Sequence, residues 1–161
     1  MSFKNVFVPH DLHSSSDLAV ENAIKIGKLV KDIQITIFHV IEDITVPGIT
    51  TAFDRPVYSY KTGEIISPSA YVKEMFYELK SNAVKKLDVA KKECHKEGIL
   101  CEIIVEKGNP KEKILEYIKE NKIDLVIVGT TRRSGISKIK ALGSVARFIS
   151  ENVTCPVMLI H

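Results

Sequence analysis

The 161-residue chain has no tryptophan, only three cysteines, and no apolar run near the roughly 18 residues that cross a membrane. Cys94, Cys101 and Cys155 form an odd set without C-x-x-C spacing, which argues against a disulfide framework and against a zinc knuckle. Residues 1–5 lack the pattern of a signal peptide and lead directly into a short apolar run. We therefore expect a cytoplasmic protein with reduced cysteines and no membrane contact.

The chain also lacks a large excess of positive or negative charge, because 23 Lys and Arg residues and 20 Asp and Glu residues give a net charge of only +3. The basic residues are scattered among acids, so the sequence shows no footprint for nucleic acid. Hydrophobic residues make up 45% of the chain and charged residues 27%, which excludes disordered and fibrous classes. We expect one globular domain over residues 1–161 that does not bind nucleic acid.

Short apolar runs alternate with amphipathic stretches along the chain. The runs predict five buried strands, over residues 5–9, 35–41, 100–106, 125–128 and 156–160. Apolar residues at three- and four-residue steps predict the helices between them, with a capping box at Ser14 and Asp17 and an N-cap at Asn109. This order predicts an α/β fold, a single-domain doubly wound five-stranded parallel sheet of Rossmann-like type with helices on both faces.

Residues 42–68 interrupt this alternation. They show no sustained period, so we expect a long excursion there, of the kind that is usually functional. Tyr58, Tyr60 and Tyr71 lie in or near it, and two roles stay open for them: covering a bound base or contacting a partner.

Ligands of parallel sheets bind beyond the carboxyl ends of the strands, where the strand order reverses. The stretch from Gly129 to Gly135, followed by Gly143-Ser144 at a helix start, is the most informative segment at such an end. Glycines let backbone N–H groups approach an anion closely, the Ser144 hydroxyl would add a donor, and Arg132 or Arg133 would add charge. The stretch indicates a phosphate site; the alternative is that the glycines only make turns and Ser144 only caps the helix.

Other polar residues near the strand ends allow more than one role. Asp11 fits a contact to ribose hydroxyls or a water-bridged metal, and it equally fits a cap on the first helix. We expect His10 and His13 to be solvated loop histidines, and His39 to be a hydrogen-bonded core histidine. The sequence contains neither G-x-G-x-x-G nor G-x-x-x-x-G-K-[ST], and it has no G-x-S-x-G or H-E-x-x-H motif, so we do not expect a dedicated enzyme.

From Gly129 onward the sequence resembles the universal stress protein family, whose characteristic stretch is Gly-x-x-Gly, nine residues, then Gly-Ser or Gly-Thr. Arg132 stands where the family has its second glycine, and if Gly135 is kept in register with the family, the stretch from it to Gly143 is one residue longer than usual. The resemblance covers almost the whole chain, through residues 8–11, 39–40, 108–110, 124–129, 143–145 and 155–157.

The resemblance implies an ATP-binding stress-response module that acts as a nucleotide-regulated interaction protein. It also implies Mg²⁺ or Mn²⁺ with the nucleotide, and a homodimer through the terminal strand Val157 to Ile160, whose open edge would otherwise stay unpaired. Two alternatives are a nucleotide-free interaction protein on the same fold and a slow ATP-hydrolysing or nucleotidyl-transferring enzyme. The nucleotide-binding positions that the resemblance implies are Pro9, His10, Asp11, Val40, Gly129, Thr130, Gly143, Ser144 and Val145. We also expect Val128, Arg132 and Gly135, from the same strand end and loop, to contact the nucleotide.

Overall fold

The computed structural model describes residues 3–46, 56–130 and 142–161. Within these ranges the strands are β1 (Asn5–Pro9), β2 (Gln34–Ile41), β3 (Val57–Tyr58), β4 (Ile65–Ile66), β5 (Leu100–Lys107), β6 (Leu125–Gly129) and β7 (Val157–Ile160). The helices are α1 (Ser14–Gly27), α2 (Pro68–Lys96), α3 (Pro110–Glu120) and α4 (Ser144–Asn152).

Five of the strands form one parallel sheet in the order β5-β2-β1-β6-β7. The chain builds outward from β1 to β2 and β5 on one side, and then to β6 and β7 on the other. This order confirms the predicted doubly wound sheet. The strand order reverses between β1 and β6, which is where such sheets place their ligands.

Alternate residues of the central strands bury two separate cores, one on each face of the sheet, because successive side chains of a strand point to opposite faces. On one face, Val6, Val8 and Ile35 pack against α1 and α2. On the other, Phe7 and Phe38 pack against α3 and α4, where their rings lie 5.3 and 5.0 Å from that of Tyr117. The expectation of helices on both faces is therefore confirmed.

A carboxylate ties the first strand to the last third of the chain. Asp124 lies just before β6, and its Oδ2 accepts hydrogen bonds at 2.9 Å from the backbone N–H groups of Lys4 and Asn5. The Asp124 N–H donates in turn to the carbonyl of Asn5. These contacts set the register in which β1 and β6 begin.

The excursion contains regular structure that the sequence pattern did not predict. Strands β3 and β4 form a short antiparallel hairpin, with Val57 opposite Ile66. The Ser59 hydroxyl accepts from two turn N–H groups and donates to Glu74 Oε1 at 2.7 Å, which fastens the hairpin to α2. Residues 47–55 of the excursion lie outside the described ranges.

Gly129 at the end of β6 lies against the backbone at the start of α1. A Cβ atom built on Gly129 would be 2.1 Å from the carbonyl oxygen of Ser15 and 2.9 Å from the backbone nitrogen of Ser16. No side chain fits at this contact, because both neighbouring atoms belong to the main chain. Gly129 therefore allows α1 to begin directly beside the carboxyl end of β6.

We expect Gly129→Ala to lower the free energy of unfolding by about 3 kcal/mol, since overpacking a close contact costs about 1–3 kcal/mol and here only backbone can move. Gly27→Ala is the matched control. Its Cβ would be 2.6 Å from the Cδ1 of Ile99, a side-chain end that can rotate away, and alanine is the better helix residue by about 1 kcal/mol. Urea unfolding of both variants measures the difference, and equal losses would contradict the backbone argument.

Candidate functional site

A cavity of about 440 Å³ opens at the carboxyl ends of β1, β2 and β6, where the strand order reverses. This volume lies within the range of small-molecule sites, roughly 300–1,000 Å³. Apolar side chains form part of the wall, and the starts of α1, α3 and α4 complete it. Nine of the predicted binding residues come together around it: Pro9, His10, Asp11, Val40, Val128, Gly129, Gly143, Ser144 and Val145.

Of the three remaining predicted binding residues, Thr130 is described and does not line the cavity. Thr130 is 2% exposed, and both its N–H and its hydroxyl donate to the carbonyl of Ile160, at 2.8 and 3.0 Å. Its hydroxyl also lies 2.7 Å from Nδ1 of His161, so this side chain serves the end of β7. Arg132 and Gly135 lie outside the described residues.

His10 is buried in the cavity wall with one defined tautomer. The Leu12 N–H donates to its Nδ1 at 2.9 Å, so the ring proton is on Nε2, which donates to Asp17 Oδ1 at 3.1 Å. The expectation of a solvated loop histidine was wrong for His10, which is 4% exposed. The capping box at Ser14 and Asp17 was also wrong, because the N-cap position is His13 and the Asp17 carboxylate bonds His10 instead.

Burial lowers the pKa of His10 below its usual value of 6.5, and the nearby carboxylate of Asp17 offsets only part of that effect. The imidazole is therefore neutral at physiological pH. It links the end of β1 to the first turn of α1 without placing a positive charge beside the cavity.

Asp11 is held at the mouth of the cavity by the start of α1. Its Oδ1 accepts from the Ser16 hydroxyl at 2.7 Å and from the His13 N–H at 3.0 Å. Burial raises the pKa of the Asp11 carboxyl, but these hydrogen bonds outweigh that effect and the net pKa is lowered. The expectation that Asp11 caps the first helix was wrong, because its partners are the N–H of the N-cap residue His13 and the Ser16 hydroxyl rather than a helical N–H. The carboxylate is ionised. A ligand role for Asp11 stays a prediction.

The three helix starts at the cavity differ in the backbone donors that they offer. In α3, Pro110 has no N–H, and the Asn109 side chain accepts from Lys111 and Glu112, which confirms the predicted N-cap. In α4, the N-cap is Gly143, and within the described ranges no side chain caps the helix. The alternative in which Ser144 only caps the helix was therefore wrong, because Ser144 is the first helical residue.

The start of α4, which no described side chain caps, presents backbone donors that suit an anion. The first N–H groups of a helix have no partner inside the helix, and the helix dipole adds partial positive charge at that end. None of the lining residues in the described ranges is a lysine or an arginine, whereas Asp11 and Glu42 are acidic. A negative group is thus favoured beside α4 and disfavoured beside the two carboxylates.

Comparison with known proteins identifies the family. The model of the universal stress protein family matches residues 2–161. The chain belongs to this family. Universal stress protein YxiE from Bacillus subtilis is 30% identical to it over 159 residues, which is 99% of each protein.

Solved structures of the family share the fold of this universal stress protein. The protein UspA from Lactobacillus plantarum superposes with a TM-score of 0.74 at 19% identity, and the match covers 100% of this chain and 99% of that one. A universal stress protein family protein from Arabidopsis thaliana with AMP bound superposes with a TM-score of 0.64 at 22% identity, over 98% and 90% of the two chains. The family resemblance and the fold expected from the sequence are both confirmed.

The structure of this universal stress protein adds cavity residues that sequence analysis did not select. His39 was expected in the core, but it is half-buried in the cavity wall, and its Nδ1 donates to the carbonyl of His10 at 2.8 Å. A search for residues following strand ends could have found several of the others, since they come soon after β1, β2 and β5. These others are His13, Ser15, Ser16, Phe38, Glu42, Pro110, Ile114 and Ala146.

The described residues of this universal stress protein contain no group of three or more histidine, cysteine or acidic side chains arranged to hold a metal ion. No helix there is both long and apolar enough to span a bilayer.

We expect the lowered pKa of His10 to make the folded state sensitive to mild acid. As the pH falls through about 6.5, an unfolded histidine binds a proton before the buried one does, so stability is full above that pH and decreases below it. Urea unfolding between pH 7.5 and 5.5 should show this loss in the wild type, with a slope of at most about 1.4 kcal/mol per pH unit from this group. His10→Gln keeps a donor near Asp17 and should flatten the slope; an unchanged slope would contradict the assignment.

Proposed function

We propose that this universal stress protein binds an adenine nucleotide, specifically ATP, and acts as a nucleotide-regulated homodimeric interaction module in a stress response. The observation that carries the proposal is the start of α4, which no side chain in the described ranges caps, within a cavity of about 440 Å³. The fold supports it as well, since the cavity lies at the reversal of strand order. The related Arabidopsis thaliana protein with AMP bound provides a precedent within the family.

The chemistry of the wall orients the nucleotide in this proposal. The apolar side chains of Pro9, Val40 and Val128 suit the adenine ring, which has two flat apolar faces. The ionised Asp11 suits the ribose, because only its Oδ1 is engaged in the hydrogen bonds that the described residues make, which leaves Oδ2 to accept from hydroxyl groups. The phosphates then lie at the start of α4, with backbone N–H groups and the Ser144 hydroxyl as donors.

A divalent cation enters this proposal only together with the nucleotide. The described cavity wall offers two carboxylates, Asp11 and Glu42, which is fewer than a dedicated magnesium or manganese site made by protein groups alone would use. Mg²⁺ commonly binds through substrate phosphates and one or two carboxylates. We therefore propose that Mg²⁺ or Mn²⁺ is held mainly by the phosphates of ATP.

Two variants of Ser144 test the phosphate position. Ser144→Ala removes the hydroxyl, and Ser144→Pro also removes the first N–H of α4. Proline suits this first helical position, and the φ of −56° and ψ of 156° at Gly143 suit a residue before proline. A hydrogen bond to a charged group contributes about 1.5–3 kcal/mol, so calorimetry should show ATP affinity about 10- to 100-fold weaker in Ser144→Ala and weaker still in Ser144→Pro. AMP, with fewer phosphates at this end, should be affected less.

A control and three outcomes complete this test. Ser150→Ala removes a hydroxyl that donates to the carbonyl of Ala146 in the same helix, and it should leave ATP affinity unchanged. If the folded wild type binds neither ATP nor AMP, the alternative of an interaction protein that works without nucleotide is correct. If ADP accumulates during the titration, the protein is a hydrolase. If Ser144→Pro binds ATP like the wild type, the phosphates lie elsewhere.

The two edges of the sheet differ in how well they suit dimer formation. In the described part of the chain, β7 pairs only with β6, and its side chain Met158 is 38% exposed. The opposite edge strand, β5, exposes the charged residues Glu102, Glu106 and Lys107, and charges on an edge strand disfavour pairing with another chain. We therefore place the proposed homodimer contact at Val157 to Ile160 of β7 in both copies.

We expect Met158→Lys to convert a dimer into a monomer in light scattering at micromolar concentration, because it puts a charge on the exposed side of β7. Leu159 is a poor site for this test, since its side chain packs against the core beneath α3 and α4. Leu100→Lys is the matched control on the other edge strand, where Leu100 is 67% exposed, and it should leave the dimer intact. If the wild type is monomeric, the proposed homodimer is wrong. If the Met158→Lys variant stays dimeric, the dimer contact does not lie at β7.

A further inference from the structure

The turn between β1 and α1 contains a backbone conformation that its residue type disfavours. Leu12 has a φ of +66°, in the left-handed region where a side chain crowds the following carbonyl group. Asp32 is the other non-glycine residue with a positive φ in the described part of the chain, and aspartate enters this region more readily than leucine does. Strain of this kind persists only where surrounding contacts hold it, and it is concentrated at functional sites.

Hydrogen bonds within the turn hold part of this conformation. The Leu12 N–H donates to Nδ1 of His10 at 2.9 Å, and the His13 N–H donates to Oδ1 of Asp11 at 3.0 Å. The Asp11 N–H donates to the hydroxyl of Ser16 at 3.3 Å. These bonds engage backbone N–H groups and leave the Leu12 carbonyl to find a partner in another element.

That partner comes from α2. Nζ of Lys86 donates a hydrogen bond to the Leu12 carbonyl, although the two residues are 74 positions apart in the sequence. Three residues before Lys86, the fully buried Ala83 belongs to a small apolar cluster against which the Leu12 side chain packs. Helix α2 therefore holds Leu12 at two points, through its side chain and through its carbonyl group.

The orientation of the Asp11 carboxylate depends on the conformation of Leu12. Leu12 is the residue between Asp11 and His13, so its φ sets whether the His13 N–H reaches Oδ1 of Asp11. If Leu12 relaxed to a negative φ, this hydrogen bond would be lost. The Ser16 hydroxyl would then be the one described donor left to the carboxylate, which is too few to keep one orientation at the cavity mouth.

We propose that Lys86 is a positioning residue of the nucleotide site: it holds Leu12 in its strained conformation and thereby keeps Asp11 directed at the ribose hydroxyls. The inference rests on the proposed function, in which Asp11 contacts the ribose. Lys86 is not among the residues that line the cavity, so it acts through the turn rather than on the ligand. Its effect is therefore on the preference for a ribose with hydroxyl groups and not on the binding of the phosphates.

Nucleotides with and without ribose hydroxyls test this role. In the wild type, calorimetry should show that ATP binds about 10- to 100-fold more tightly than 2′,3′-dideoxy-ATP, which lacks the hydroxyls that donate to the carboxylate. Lys86→Met keeps an unbranched side chain but removes the donor, and it should lower this ratio about fivefold, the effect of losing one hydrogen bond. Lys86→Arg keeps a cationic donor and should keep the ratio near that of the wild type.

Lys85→Met is the matched control. Lys85 is the preceding residue of α2, is exposed like Lys86, and lies roughly 100° away around the helix. The variant therefore removes the same charge from the same helix without removing the donor to Leu12. The ratio of the two affinities should equal that of the wild type.

Hydrogen exchange in the nucleotide-free protein tests the turn itself. In Lys86→Met, the N–H groups of Leu12 and His13 should exchange about fivefold faster than in the wild type, because the turn opens more often. Lys85→Met and Lys86→Arg should exchange at about the wild-type rate. Unchanged exchange in Lys86→Met would overturn the role of Lys86 and leave the proposed function standing.

The two measurements separate a failure of this proposal from a failure of the proposed function. If the wild type binds ATP and Lys86→Met keeps the wild-type ratio, Lys86 does not position Asp11, although nucleotide binding stands. If Lys86→Met weakens ATP and 2′,3′-dideoxy-ATP equally, Lys86 acts on the phosphates or on the whole cavity, which also overturns the positioning role. If the folded wild type binds neither nucleotide, the proposed function and the role of Lys86 both fail, even where hydrogen exchange responds.

Discussion

The fold and its candidate site both depend on a backbone contact between Gly129 and the start of α1. With Ser15 and Ser16 against the end of β6, the first turn of α1 lies directly above the point where the strand order reverses. That position brings the hydroxyl of Ser16 to Asp11 and places His13 at the cavity. A longer side chain at Gly129 would push α1 away and open the wall that these groups form. A glycine usually discussed for its approach to a ligand is here required by the protein itself.

Among the described residues, a network of neutral and polar groups, rather than a cluster of cations, determines the electrostatic potential in the cavity. His10 joins three elements: it belongs to the turn after β1, bonds Asp17 of α1, and accepts through its carbonyl from His39 of β2. Because burial keeps His10 uncharged, the positive potential along the described wall comes from the N-terminus of α4, whose dipole is fixed in direction. The carboxylate of Asp11 lies on the same wall, so the cavity has one side that suits an anion and another that suits hydroxyl donors.

Much of the fold could be predicted because it shows in short stretches of sequence. Buried strands appear as apolar runs, as in the five strands of the sheet, and a helix start appears as a capping residue, as at Asn109. Strands β3 and β4 have two residues each, too few to show a period. The pattern of Ser14 and Asp17 predicted a capping box wrongly, because Asp17 bonds His10, which lies outside the motif. Nine predicted binding residues meet at one cavity, yet the sequence could not reveal what approaches Gly129, since that contact joins residues over a hundred positions apart.

The bonds between Asp124 and the first strand have a consequence for how the chain reaches its fold. Lys4 and Asn5 are separated from their acceptor by 120 and 119 residues. On a ribosome, β1 is made first, but one of its two neighbours in the sheet is made near the end. Closing so long a loop is slow compared with forming local contacts. Until β6 emerges, β1 can pair only with β2, and the apolar flank of a half-built sheet stays open to chaperones or to other nascent chains.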